Sequence, residues 1–255
     1  MSDRLLEERV APREGPGRAG ALQGSLVRCR DLERACRATM FTLLSAHFDG
    51  VTRETFERDL AGKDYVILLE DERRALQGFS TLHVYESRVA SPPVTVIYSG
   101  DTIVRPEAWG SPALARSWVN AVSQLSAGRG GRGEVYWLLL SSGFRTYRFL
   151  PVFYRVFYPR WGEPTPPAMQ RLMDELAAER FGLAYHPSDG VVRFDQPQVL
   201  KPELLSVPEG RRRDPDIAFF LAANPGFVGG DELVCLTWIH ADNLTPAARR
   251  MMRSR

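Results

Sequence analysis

The run from Val94 to Tyr158 constrains this chain most. Val94 to Val104 alternates apolar and β-branched residues, which predicts a strand. The turn Arg105-Pro106-Glu107-Ala108-Trp109-Gly110-Ser111-Pro112-Ala113 follows directly and opens a helix through Leu125. Ser111 suits the cap, and Pro112 costs nothing at a first helical position whose N–H has no partner anyway. A helix opening after an apolar strand presents free N–H groups and the positive end of a dipole to an anion. Gly128 to Gly133 predicts a loop, and Val135 to Leu140 a buried strand. Thr146 to Phe157 predicts a helix that Pro151 either kinks or splits in two.

The rest of the chain supplies the partners of that unit. Residues 1–22 are charged and rich in glycine and proline, and are expected to be a disordered tail. A helical pattern runs from about Ser25 through Leu26, Leu32, Ala35, Cys36, Met40, Leu43 and Leu44, ending near Gly50. Thr52 caps a second helix over Arg53 to Leu60. Tyr65 to Glu70 and Leu76 to Tyr85 read as an antiparallel hairpin turned at Asp71 to Arg74. Past Pro159, a helix is expected at Met169 to Phe181, and strands at Val191 to Phe194, Ile217 to Leu221 and Glu232 to Ile239. The division expected is a domain over 25–160 and an extension over 161–255 packing on it.

Composition excludes several classes of function. The chain has 255 residues, 44% hydrophobic, and can bury a full core. Its net charge of +2 gives no broad basic field, so no nucleic-acid partner is expected. Cys29, Cys36 and Cys235 are odd in number and widely spaced, which makes no disulfide framework and fits a reducing, cytoplasmic setting. No N-terminal stretch has the apolar core of a signal peptide, and no run approaches the ~20 apolar residues of a membrane span. Oligomeric state is not legible.

Literal motifs mostly fail on context. Gly128-Arg129-Gly130-Gly131-Arg132-Gly133 spells G-x-G-x-x-G, but a dinucleotide site needs a strand before it and a helix after it, and here the order is reversed. His47, His83, His186 and His240 lack ligand spacing, so no metal is expected. Arg211 to Arg213 reads as a solvated loop, or as a contact for phosphate or an acidic carrier. Arg145 and Arg148 flank a strand end, where they suit a carboxylate or phosphate.

The order of elements over about residues 30–160 resembles the GCN5-related N-acetyltransferase (GNAT) superfamily. Two helices, an antiparallel hairpin, a long strand, a helix, a strand and an aromatic-rich helix follow one another as they do there. The resemblance implies an α/β (α+β) fold, with a mixed, mostly antiparallel sheet flanked by helices. It implies acyl transfer from an acyl thioester, either acyl-CoA or the phosphopantetheine of an acyl carrier protein, to a small-molecule amine. In that family a loop reading roughly Arg/Gln-x-x-Gly-x-Gly/Ala holds the pyrophosphate of coenzyme A. This chain has Trp109 and Gly110 where that loop begins, and Pro112 removes one donor. Ile103, Val104, Arg105, Trp109, Gly110, Ser111, Ala113 and Ser142 are the donor-binding candidates, with Arg105 supplying charge. Asp101 is the candidate base and Glu86 a second one. Tyr154 is the candidate acid, and Tyr147 would share its face on one unbroken helix. The other reading is a non-catalytic shell that binds a ligand or partner.

Overall fold

Period-two alternation of apolar residues builds one sheet with two buried faces. The computed structural model describes residues 22–109, 111–127 and 133–253. Its strands are β1 (Gln23–Arg28), β2 (Phe48–Asp49), β3 (Tyr65–Glu70), β4 (Leu76–Ser87), β5 (Val94–Val104), β6 (Val135–Ser141), β7 (Phe157–Tyr158), β8 (Tyr185–His186), β9 (Val191–Val192), β10 (Val199–Leu200) and β11 (Glu232–Trp238). The helices are α1 (Arg34–His47), α2 (Arg53–Ala61), α3 (Ala113–Ala127), α4 (Phe144–Tyr147), α5 (Phe149–Phe153), α6 (Pro167–Phe181), α7 (Pro202–Leu205), α8 (Pro215–Ala223) and α9 (Pro246–Arg253). The main sheet runs β1-β3-β4-β5-β6-β11-β9-β8, with β7 also on β11. Among the described residues, β5 and β6 pair in parallel and the other pairs of this sheet are antiparallel. The expected α/β, mostly antiparallel architecture is therefore present.

Alternate residues sort onto the two faces. Ile67, Leu69, Leu82, Ile97, Trp137, Leu139 and Cys235 lie in one core with α3, α5 and α8 residues such as Trp118, Leu150 and Phe220. On the other face, Val66, Leu68 and Phe79 pack with α1 and α2. Val96, Leu138 and Val234 pack there with α6. Trp118 and Trp137 hold α3 to the sheet with ring centroids 3.9 Å apart, a contact worth about 1 kcal/mol beyond its buried area.

Several expected elements differ. Gln23 to Arg28 is an edge strand rather than the start of a helix, because it finds an antiparallel partner in β3. Helix α1 starts only at Arg34, so Cys29 and Cys36 share no helical face; both side chains still sit in or against the core beneath it. Ile217 to Leu221 lies inside α8: Asp214 caps it by accepting from Asp216 N–H at 3.1 Å, and Pro215 stands at its first position. The helix expected over 146–157 is two short helices, after which Tyr154 is extended (φ −122°, ψ 142°). Tyr147 and Tyr154 consequently share no helical face. The expected tail over 1–22, apart from Leu22, and the 128–133 loop, apart from Gly133, lie outside the described residues. Strand β11, far along the chain, sits between β6 and β9 in the main sheet.

Candidate active site

Two irregularities in β5 create the site. The first is a bulge. Leu82 pairs with Ser99 and Ser80 with Thr102, so Thr81 alone faces both Gly100 and Asp101. One extra residue flips the facing of everything after it. Ser99 donates its face to Trp137, whose Nε1–H bonds Ser99 Oγ at 2.8 Å. Thr102 Oγ1 and Ser80 Oγ meet at 2.8 Å on that same face. Asp101 is thereby turned to the opposite face, beside Tyr98 and Ile103. Gly100 gives room at the bulge: a Cβ there would stand 2.7 Å from Lys63 Cε and 2.8 Å from Thr81 Oγ1, so these side chains would have to shift.

The second irregularity is a splay. Strands β5 and β6 pair from Thr95/Val135 to Ser99/Leu139 and no further. Beyond that point β5 keeps only β4, so every second residue turns its backbone N–H and C=O into the gap. Arg105 N–H bonds Gln77 on the β4 side, which leaves Val104 and, two residues back, Thr102 facing the gap. The carbonyl of Val104 accepts from Trp109 Nε1–H (2.8 Å), and His47 Nε2 lies 3.0 Å from it. Strand β10, paired with β2, closes the outer end of this region.

A cavity opens on each side of the gap. On the α2 face, a cleft of about 720 Å³ is lined by Asp59, Tyr98, Asp101, Asp195 and Glu232 among others. On the α3 face, a cavity of about 450 Å³ is lined by Trp109, Leu114, Arg145, Arg148 and Arg211 among others. Phe48, Thr102, Ile103, Ser142 and Thr146 line both, so the two cavities meet at the splay.

The two sides have opposite electrostatics. In the larger cleft, burial first, and then the neighbouring Asp59 carboxylate, push Asp101 up to about 7, while Lys63 opposes the rise. Glu232 is pushed up to about 8 by burial, then by Asp101 and Asp59, again against Lys63. Lys63 has a fully buried side chain, its ammonium bonds both Asp59 oxygens, and it lies 5.4 Å from the centre of the Tyr98 ring. In the smaller cavity the Arg145 guanidinium stacks over Trp109 at 4.2 Å and over Phe144 at 4.5 Å, and Nη1 donates to Leu204 O at 2.6 Å. Arg148 pairs with Asp214 at 3.2 Å. Arg211 is exposed.

Of the residues expected at the site, Asp101, Ile103, Val104, Trp109, Ser111 and Ser142 line one or both cavities. The others lie elsewhere. Arg105 sends Nε–H to Leu76 O at 3.4 Å. Ala113 N–H is bonded to Ser111 Oγ at 3.2 Å, so it is not a free anion donor. Gly110 lies outside the described residues. Glu86 is exposed at the far end of β4 and pairs with Arg88 at 3.6 Å. Tyr154 is buried against Trp137, with ring centroids 5.8 Å apart, and burial raises its hydroxyl pKa. Tyr147 is buried among Phe157, Phe219 and Phe220 and donates to Pro159 O at 3.0 Å. Neither tyrosine lines the cavities. Sequence reading missed Glu232, Asp59 and Lys63. The one available signal was an acidic residue opening the apolar strand at 232–238.

No model of a protein family matches the chain, and no curated protein sequence matches it. Solved structures do. A protein from Enterococcus faecalis V583 described as a "probable N-acyltransferase" is 14% identical over 53% of this chain, with a TM-score of 0.41. The chain spans only 33% of that protein's length. An acetyltransferase from Trypanosoma brucei is 16% identical over 57% of this chain and 100% of its own, at a TM-score of 0.38. A GNAT family N-acetyltransferase from Escherichia coli, solved in complex with CoA, is 14% identical over 51% of this chain and 68% of its own, at 0.37. Each of these three likenesses spans about half of this chain.

Proposed function

We propose that the protein is an N-acyltransferase that moves an acyl group from a thioester to an amine by direct attack. The observation that carries this reading is the splay: two central parallel strands part after Ser99 and Leu139 over a gap with one cavity on either side. A thioester carried on a long arm, of coenzyme A or of a carrier protein's phosphopantetheine, enters from the Arg145–Trp109 side. Arg145, Arg148 and Arg211 suit its phosphates. The amine enters from the acidic side.

Chemistry follows from what faces the gap. Asp101 takes a proton from the acceptor ammonium, and its raised affinity for protons suits a general base working near neutrality. The freed amine attacks the thioester carbonyl, whose developing negative charge meets the gap-facing N–H of Thr102. Ser142 and Thr146, which reach both cavities, stand where the departing thiolate forms. They take the place first expected for Tyr154.

A non-catalytic shell is the second reading, favoured by one observation: Trp109 and Arg145 stack across the donor side, and Trp109 occupies the Val104 carbonyl. Native mass spectrometry with a panel of acyl-CoAs and acyl carrier proteins, followed by an amine screen, separates the two. Transfer that Asp101→Asn abolishes, with donor binding retained, supports the enzyme. Absence of donor binding across the panel rejects it.

A further inference from the structure

We infer that Glu232 joins Asp101 in a single proton-accepting pair that spans the splay. The inference rests on the acyltransfer reading for its purpose, but the pairing itself is a property of the resting protein.

Register places the two carboxyls. On β11, Leu233 pairs with Ser141 of β6, so Glu232 stands at the level of Ser142, where β6 leaves β5. The bulge turns Asp101 to the face on which the larger cleft opens, and both residues line it. Neither carboxyl makes a hydrogen bond or an ion pair within 4.0 Å among the described residues, although every other carboxylate named below except Asp195 has a cationic partner. The surrounding charges are few. From α2 come Glu54, paired with Arg58, and Asp59, paired with Lys63. From β5 comes the Tyr98 hydroxyl, from α6 comes Arg180, 4.9 Å from the centre of the Tyr98 ring, from the segment before β10 comes Asp195, and beside Glu232 Asp231 is held by Arg193. Lys63 is already committed to Asp59, so two further carboxylates in one enclosure cannot both ionise cheaply. Keeping one of the two protonated resolves this and leaves a single negative charge in the cleft. Burial raises both groups; Asp59 raises Asp101 further, and Asp101 and then Asp59 raise Glu232 further.

The pair gives the reaction a proton ledger that balances. The singly charged pair takes one proton from the acceptor ammonium and becomes neutral. The amine nitrogen then forms its bond to the acyl carbon as the carbon–sulfur bond breaks. The nitrogen's surplus proton goes to the departing thiolate, and the pair returns its extra proton to water. Amine acylation at neutral pH therefore releases one proton for each amide formed.

Carboxyl carbon-13 NMR titration of the full chain, with no donor or acceptor present, tests the pairing. In the wild type, two carboxyls are expected to titrate well above the ordinary carboxylate range. Glu232→Gln should lower the Asp101 midpoint by about one unit or more, and Asp101→Asn should lower that of Glu232 by a comparable amount, since coupling is reciprocal. Midpoints that move by less than about 0.3 units in both variants overturn the pair. A fold lost in one variant leaves the reciprocal variant to decide. Failure here would leave Asp101 standing as a lone base, whereas failure of every donor to bind would reject the acyltransfer reading and leave the NMR result intact.

Discussion

Replacing Lys63 by methionine should destabilise the protein by about 2–3 kcal/mol. The side chain of Lys63 is wholly buried, and its ammonium, just past the end of α2, meets both oxygens of Asp59, four residues earlier in the chain. Methionine retains the length and volume of the aliphatic stem, so packing loss is minor. What is lost is the cation bonded to Asp59 beside Asp101 and Glu232. Removing one partner of a fully buried ion pair costs about 3–5 kcal/mol, because the other charge is left uncompensated. The Asp59 side chain is 41% exposed and regains water on its open side, which lowers the expectation to the range given. Urea unfolding followed by circular dichroism measures it, and a cycle with Asp59→Asn isolates the pair. The coupling should be at least about 1 kcal/mol, and the loss should grow from pH 6 to pH 8.5, where Asp101 and Glu232 also become charged. A loss below about 0.5 kcal/mol with zero coupling would show that the ammonium does not hold this enclosure together.

Further outcomes follow from the same geometry. Gly100→Ala should cost about 1–3 kcal/mol through overpacking against Lys63 and Thr81, read as a lowered thermal midpoint. Asp101 and Glu232 hold protons more tightly folded than unfolded, so the stability they contribute is complete below about pH 4 and is lost as pH rises through about 7 and 8. Asp101→Asn should flatten this decline by about 1–2 kcal/mol between pH 5 and 8.5, after allowance for water in the open cleft; an unchanged pH slope would contradict it. Trp109→Ala removes the bond to Val104 and the Arg145 stack, and should cost about 1 kcal/mol of stability while tightening donor binding several-fold by calorimetry. Tyr154→Phe should leave acyl transfer within about twofold, because the ring lies outside both cavities; a loss of turnover with unchanged stability would restore the tyrosine as the acid.

The chain announces its long strands and hides its short, context-dependent pieces. Tyr65 to Glu70 and Val94 to Val104 were legible residue for residue because both faces of the sheet are covered there, so period and β-branching agree. Gln23 to Arg28 misled because an edge strand buries little, and leucines further along supply a helical period that starts too early. Ile217 to Leu221 is five apolar residues long, a length at which a buried helix and a buried strand look alike; the Asp214-Pro215 cap was the deciding signal. Pro151 was seen, but not that Tyr154 would leave the helix altogether, and this displaced the expected acid. Asp101 was legible as a carboxylate in an apolar strand. Its facing was not, since a bulge is set by pairing with β4 and leaves little trace beyond Gly100.

A net charge of +2 conceals how the charge is spent. Glu54, Asp59, Asp101, Asp195 and Glu232 line the cleft on the α2 face against a single arginine, Arg58, while Arg145, Arg148 and Arg211 line the cavity on the α3 face. The sheet between them is one strand thick, and it parts only where β5 leaves β6. An anionic donor and a cationic acceptor would each be drawn to its own side and repelled from the other, so that they meet head to head at Thr102 and Ser142. Such a partition also explains why the site is scattered along the sequence. Its acidic wall needs β11, which comes back beside β6 about ninety residues further along the chain. If this is correct, donor affinity should fall with added salt while acceptor affinity falls independently of it, each with its own slope. Reversing one charge per side tests it: Arg211→Glu should weaken donor binding alone, and Asp195→Lys should weaken only the acceptor. A single substitution that weakened both equally would show that the two cavities do not divide the substrates by charge.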